Sequence, residues 1–139
     1  MKLAFFIFVH MQSEKVIEHI VTWLKDYATR ASVKGFIVGI SGGIDSALTS
    51  TLCAKTGLDV ICVEMGIHQN PYEVNRGLEH IEWLESNFKN VRHQRINLSD
   101  TFETLKAVLP ENAQTHGLSM ANTRARIRMT ALYAAGQAN

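Results

Sequence analysis

Apolar residues recur along this chain with two different periods. From Ser13 to Arg30 they fall at Val16, Ile17, Ile20, Val21, Leu24, Tyr27 and Ala28, a spacing of three and four that makes one stripe of a helix, with Ser13 as its candidate N-cap. Val33 to Ile40 (VKGFIVGI) is short, continuous and β-branched, and reads as a buried strand. Ser46 to Lys55 predicts a helix closed by Gly57. Leu58 to Met65 is a second buried strand. Pro71 opens a helix at its first turn, with a stripe at Val74, Leu78, Ile81, Leu84 and Phe88. Val91 to Leu98 alternates more and predicts a third strand. Ser99 or Asp100 caps a helix that runs to about Leu109, where Pro110 stops it. Asn112 to Gly117 reads as loop, and Ser119 to Ala135 as a final helix.

A helix, then strand and helix alternating three times, then a further helix, is the order of an α/β chain with a parallel sheet. The expected fold is a Rossmann-like, doubly wound parallel sheet of which the first three strands are present. The last helix has no strand to return to, so the sequence reads as a fragment that lacks C-terminal strands. Residues 12–139 form the N-terminal part of one α/β domain, and residues 1–11 stand apart from it. In that segment Lys2 precedes an apolar run from Leu3 to Val9, similar to a short signal-peptide core. No small-residue cleavage site follows, and the helix pattern starts at once. A misread start with Met11 as the true one, a cloning remnant and an added edge strand stay open.

Composition narrows the function classes. The chain has 139 residues and a net charge of +1, which excludes a bulk nucleic-acid binder and a polybasic membrane module. No apolar stretch is long enough to span a membrane. Cys53 and Cys62 form no CxxC pair and read as small reduced hydrophobes, which points to the cytoplasm. Asn97-Leu98-Ser99 matches the glycosylation sequon, a chance match in such a chain.

The candidate chemistry sits directly after the first strand, in GISGGIDSALTS (Gly39 to Ser50). In a parallel sheet the useful crevice lies beyond the carboxyl ends of the strands. A turn there that opens a helix gathers backbone N–H groups and the positive end of the helix dipole, a ready anion site. Gly42 and Gly43 allow positive φ and close approach to a phosphate, and Ser41 and Ser46 add hydroxyls. Asp45 would repel a bare phosphate. It fits if Mg²⁺ lies between them, since that ion takes carboxylate plus phosphate oxygens. The Walker pattern fails because no lysine follows the glycines, and the Rossmann G-x-G-x-x-G is absent. A rival is the nucleophile elbow of α/β-hydrolases, because Gly39-Ile40-Ser41-Gly42-Gly43 satisfies G-x-S-x-G with Ser41 as nucleophile. That reading needs a histidine and an acid downstream. His68, His93 and His116 stand in no telling context, and Asp45 and Ser46 stay unexplained.

SGGIDS resembles the S-G-G-x-D-S pyrophosphate-binding loop of the N-type ATP pyrophosphatases, which split ATP between the α and β phosphates. GFIVGISGGIDSALTS, VEMGIHQNP and ANTRARIRMTALYAAGQ together resemble ammonia-dependent NAD synthetase, over about Met11 to the C-terminus. The resemblance implies that Gly39, Ile40, Ser41, Gly42, Gly43, Ile44, Asp45 and Ser46 bind ATP, that Asp45 holds Mg²⁺ and that Arg126 contacts deamido-NAD. Met65, Gln69 and Asn122 are weaker candidates, the first two for adenine. It also implies a cytoplasmic homodimer. The implied chemistry is adenylation of the nicotinate carboxylate with release of pyrophosphate, then attack by ammonia to give NAD⁺ and AMP, with no side-chain nucleophile. Too little chain precedes the first strand for an amidase domain, so free ammonia is the expected nitrogen source.

Departures from the family pattern are visible. Met65-Gly66 stands where members often carry proline or leucine-proline. The family's later Gly-Thr…Glu segment and its lysine- and aspartate-bearing loop lie beyond this sequence, so this chain alone is expected to be a poor catalyst. Helix geometry puts Asn122 and Arg126 on one face, with Arg124 and Arg128 about 160–200° away. Those two read as a solvated or subunit-facing surface. Other readings are a GMP synthetase-like or tRNA-thiolating relative, though no cysteine pair supports the latter, and a non-catalytic nucleotide-binding or dimerising module.

Overall fold

The computed structural model describes residues 12–139. The segment 1–11, with its signal-like and added-strand readings, lies outside the described residues. Helix α1 (Ser13–Ala31) leads into β1 (Gly35–Ile40), α2 (Ile44–Lys55), β2 (Asp59–Gly66), α3 (Pro71–Asn87), β3 (Val91–Asn97), α4 (Ser99–Ala107), α5 (Glu111–Thr115) and α6 (Gly117–Gln137). The strands form one parallel sheet in the order β1-β2-β3. This is the α/β Rossmann-like arrangement that the alternation predicts.

Strand β2 is central and buried on both faces, as its continuous apolar run demands. Its side chains alternate between two cores. Val60 and Cys62 join Ile40, Cys53, Ala54, Ile81, Leu84 and Val91 under α1, α2 and α3. Ile61, Val63 and Met65 join Leu98, Phe102 and Met120 under α4 and α6. Burial pushes the thiols of Cys53 and Cys62 up to about 11, so both are unreactive at neutral pH. Strand β3 presents Arg92, His93, Gln94 and Arg95 to solvent, which blunts that edge of the sheet.

The structure corrects three local readings. Asn112 to Gly117 is not plain loop: α5 fills most of it, because Pro110 leaves its carbonyl free to accept from Ala113 and Gln114. Ser13 is the first helical residue and Gln12 the cap, with no side-chain cap bond. Neither Ser99 nor Asp100 caps α4. Leu98 holds that position, and Asn97 Oδ1 accepts from Ser99 N–H at 3.0 Å. By contrast, Gly57 adopts φ +76° after α2, as its closing role requires.

Candidate functional site

Strand β1 ends at Ile40 and α2 begins at Ile44, so Ser41, Gly42 and Gly43 are the whole connection. Gly42 takes φ +79°, and a Cβ there would lie 2.2 Å from the carbonyl oxygen of Glu73. Only glycine lets the first turn of α3 press against this turn. The two serines then close it internally. Ser46 Oγ donates to Gly43 O at 2.9 Å. It also accepts from Ser41 N–H at 3.2 Å and lies 3.1 Å from Ser41 Oγ. Gly43 N–H donates to Ser41 Oγ at 3.3 Å. With the Ser46 proton committed to Gly43, Ser41 donates to Ser46, and the hydroxyls hold the turn in shape without a ligand.

That circuit argues against the nucleophile elbow. Among the described residues the histidine side-chain bonds run from His68 to Glu103, from His80 to Ser50 and from His116 to Ser119, and none reaches Ser41. Asp45 is exposed in the first turn of α2. No group of three His, Cys, Asp or Glu that could hold a metal gathers among the described residues. One carboxylate beside a helix N-terminus is a partial donor set. It suits a Mg²⁺ ion that takes its other oxygens from phosphates and water.

The support behind the loop comes from α3. Ser50 is fully buried in α2, one turn beyond Ser46, and its hydroxyl donates to Ser46 O at 2.8 Å. His80 Nε2 lies 2.9 Å from Ser50 Oγ, and with the hydroxyl proton given to Ser46 O the ring nitrogen is the donor in that pair. Burial lowers the His80 pKa, offset in part by its bond to the Ala47 carbonyl, so the imidazole is neutral.

At the carboxyl end of β2, Glu64 stands in register with Ile40 on one side and Arg95 on the other. The Met65 side chain belongs to the core under α6, where it meets the space beside Gly39. Gly39 thus serves β1–α6 packing: a Cβ there would lie 2.8 Å from Met65 Cε and 3.3 Å from Leu132 Cδ1. Gln69 is half-buried and lines a cleft of about 150 Å³ with Glu64, Gly66, Arg95, Asn97 and Ser99.

The arginines of α6 do not lie as their spacing suggested. Arg124 and Arg128 are half-buried, not solvated. Arg128 Nε donates to Met65 O at 3.1 Å, reaching the carboxyl end of β2. Burial and then the charge of Arg124 lower its pKa, yet a guanidinium stays protonated. Arg124 sits 5.3 Å over the Phe102 ring. Arg126 is exposed, donates to Asn122 Oδ1 at 3.4 Å and borders an open apolar groove of about 580 Å³ between α4 and α6. The structure therefore joins Arg126 to Asn122 and brings neither to the loop by any hydrogen bond among the described residues. Spacing showed that the two arginine faces differ but not which one meets the sheet. The stripe Ile127, Ala131, Leu132 carried that signal, since it packs on the inner core.

A parallel α/β sheet whose first strand runs into a glycine-serine turn and an aspartate-led helix defines a nucleotide-binding type of protein. The chain belongs to the NAD synthase family, whose sequence model matches residues 16–139. It is 36% identical over 130 residues to the NH(3)-dependent NAD(+) synthetase of Methanosarcina mazei, covering 88% of this chain and 48% of that protein. The Mesoplasma florum NH(3)-dependent NAD(+) synthetase is 31% identical over 131 residues, at 93% and 52% coverage. Among solved structures, NMN synthetase from Francisella tularensis superposes with a TM-score of 0.80 at 31% identity, over 92% of this chain and 51% of that one. The NH3-dependent NAD synthetase of Campylobacter jejuni superposes at 0.77 with 27% identity, over 88% and 51%. The chain thus spans about half the length of the relatives it matches. No described helix is long and apolar enough to cross a membrane.

Proposed function

We propose that this chain carries the ATP-binding half of a ligase that amidates deamido-NAD to NAD⁺ with ammonia, through an adenylated carboxylate and with release of pyrophosphate and AMP. The observation that carries this reading is the pre-shaped turn Ser41–Ser46 at the carboxyl end of β1, in a chain of the NAD synthase family. Gly39 and Ile40 deliver the chain to the turn, and the backbone of Gly42, Gly43 and Ile44 is read as the cradle for the phosphates. Asp45 would hold Mg²⁺, which when bound neutralises charge on the leaving pyrophosphate. The chain's own part is electrostatic: the α2 N-terminus and the turn amides stabilise negative charge that grows on departing oxygens. Ser41 and Ser46 fix the turn and take no covalent role. Gln69, which lines the cleft beside Glu64, is read as a contact for adenine, and Arg126 with Asn122 as a contact for deamido-NAD. The exposed Leu118, Met129 and Tyr133 of α6 are read as the face through which a homodimer pairs, and the cytoplasm as its compartment. A monomer in sedimentation at tens of micromolar would remove that part.

Calorimetric titration with ATP, with and without Mg²⁺, tests the reading. Mg²⁺-dependent binding that Asp45→Ala abolishes supports it. Binding that Asp45→Ala leaves unchanged overturns the metal assignment. Because a solved relative is an NMN synthetase, turnover in the full-length protein is assayed with nicotinate mononucleotide beside deamido-NAD.

A further inference from the structure

Glu64 has no part in the reading above. It is the only buried charged side chain among the described residues, with 5% of its surface exposed. Arg95 Nε lies 2.9 Å from its Oε2, yet the N–H is not aimed at that oxygen, which receives no hydrogen bond. The arginine is 71% exposed on an edge strand, so it is a solvated partner that can swing away. A carboxylate taken out of water with so poor a partner is costly to keep. Glu64 also borders the cleft with His68, Gln69, Asn97 and Ser99, and it stands in register with Ile40, the residue before the turn.

Resting on the nucleotide reading of that turn, we propose that Glu64 is a specificity residue that accepts hydrogen bonds from the vicinal hydroxyls of the nucleotide's ribose, displacing Arg95. The chemistry selects this ligand group. An ionised carboxylate only accepts, so its ligand must donate. An anion is repelled. A divalent cation finds no group of three His, Cys, Asp or Glu there among the described residues, and His68, which lines the same cleft, is bonded to Glu103. A sugar diol offers two adjacent donors, whereas a purine base sets ring acceptors beside its one amino group. The topology agrees. Glu64 pairs with Ile40, the residue before the turn, and strands lie about 4.8 Å apart, an offset suited to a sugar one step from its phosphates. The end of the second strand, about 20 residues after the glycine turn, is also where dinucleotide-binding α/β folds set an acid for ribose hydroxyls.

The test is calorimetric titration, in Mg²⁺, of ATP, 2′,3′-dideoxy-ATP, GTP and pyrophosphate into the wild-type chain, Glu64→Gln and Arg95→Ala. The wild type is expected to bind ATP about 10–100-fold more tightly than dideoxy-ATP. Glu64→Gln is expected to bind the two alike with pyrophosphate affinity unchanged, and Arg95→Ala to keep the discrimination. Should Glu64→Gln fail to fold by circular dichroism, Glu64→Leu removes the buried charge and runs the same comparison. No ATP-to-dideoxy difference in the wild type overturns the assignment, as does a difference that survives in the glutamate variant. A change in the ATP-to-GTP ratio alone would move Glu64 to the base and also overturn it. Failure of pyrophosphate to bind the folded wild type is a different result, because it sinks the reading of the turn itself.

Discussion

The turn after β1 and the arginine helix α6 both serve the carboxyl end of the sheet, but they are specified in different ways. The turn is local. Its bonds join residues no more than five apart, and two serines and two glycines within Ser41–Ser46 close it. Helix α6 is specified at long range. Arg128 reaches 63 positions back to Met65, and Arg124 covers the Phe102 ring on α4. A short motif read in isolation therefore gives the first region and misplaces the second. The difference also predicts where damage lands: a change in the turn acts on geometry, while a change in α6 acts on one distant carbonyl.

The sharpest way to break this contrast is Gly42→Ala. The new Cβ would sit 2.2 Å from a backbone oxygen at φ +79°, and neither the strain nor the clash can relax without moving α3. We expect a loss of about 3 kcal/mol or more, which lowers Tm by about 10 °C in calorimetry. A change under about 1 kcal/mol would show that α3 is not seated on the turn. Because the seat on Glu73 is long-range, this variant also measures how far the turn depends on more than its own residues.

The second comparison is inside α6. Arg128→Ala leaves the Met65 carbonyl without its donor and is expected to cost about 1–2 kcal/mol. Arg126→Ala removes only an exposed, long contact and should stay within about 0.5 kcal/mol. Chemical denaturation of the two variants side by side reads the difference. Equal costs would mean that the inward and outward faces of α6 are wrongly assigned.

These residues show what was legible. Element order, the parallel sheet and the turn followed from periodicity and from residue types that act on their immediate neighbours. Gly42 at positive φ was foreseeable because turn chemistry is local. The motif suggests Met65 as a site residue, yet its side chain packs in the core, since strand alternation assigns it to the α6 face and a motif cannot see faces. The inward positions of Arg128 and Glu64 are illegible for one reason: each owes its place to β2, and a pairing across the sheet leaves no trace in a window of ten residues. The cap of α4 was missed because Asn97 reaches forward two residues from the strand end, and serine alone looked sufficient.

His80 gives the smallest effect and the finest test, because it is the long-range prop of a local motif. Its ordinary value of 6.5 is lowered by burial in the fold, so near and below that pH the unfolded chain binds the extra proton. Stability therefore rises with pH through this window. It is fully present above about pH 6.5 and falls as the pH drops toward the folded-state value, where protonated His80 is desolvated between α2 and α3. Partial exposure limits the size, and we expect His80 to account for about 1–3 °C of the Tm lost between pH 7 and 5.5. His80→Gln keeps a donor for Ser50 and cannot titrate, so its Tm should fall less over the same interval. Parallel pH profiles of the two proteins would show that the imidazole does not carry the acid sensitivity. A shallower profile with the wild-type Mg²⁺–ATP affinity retained at pH 7 would place His80 as support for the turn through Ser50, one helical turn removed from the ligand.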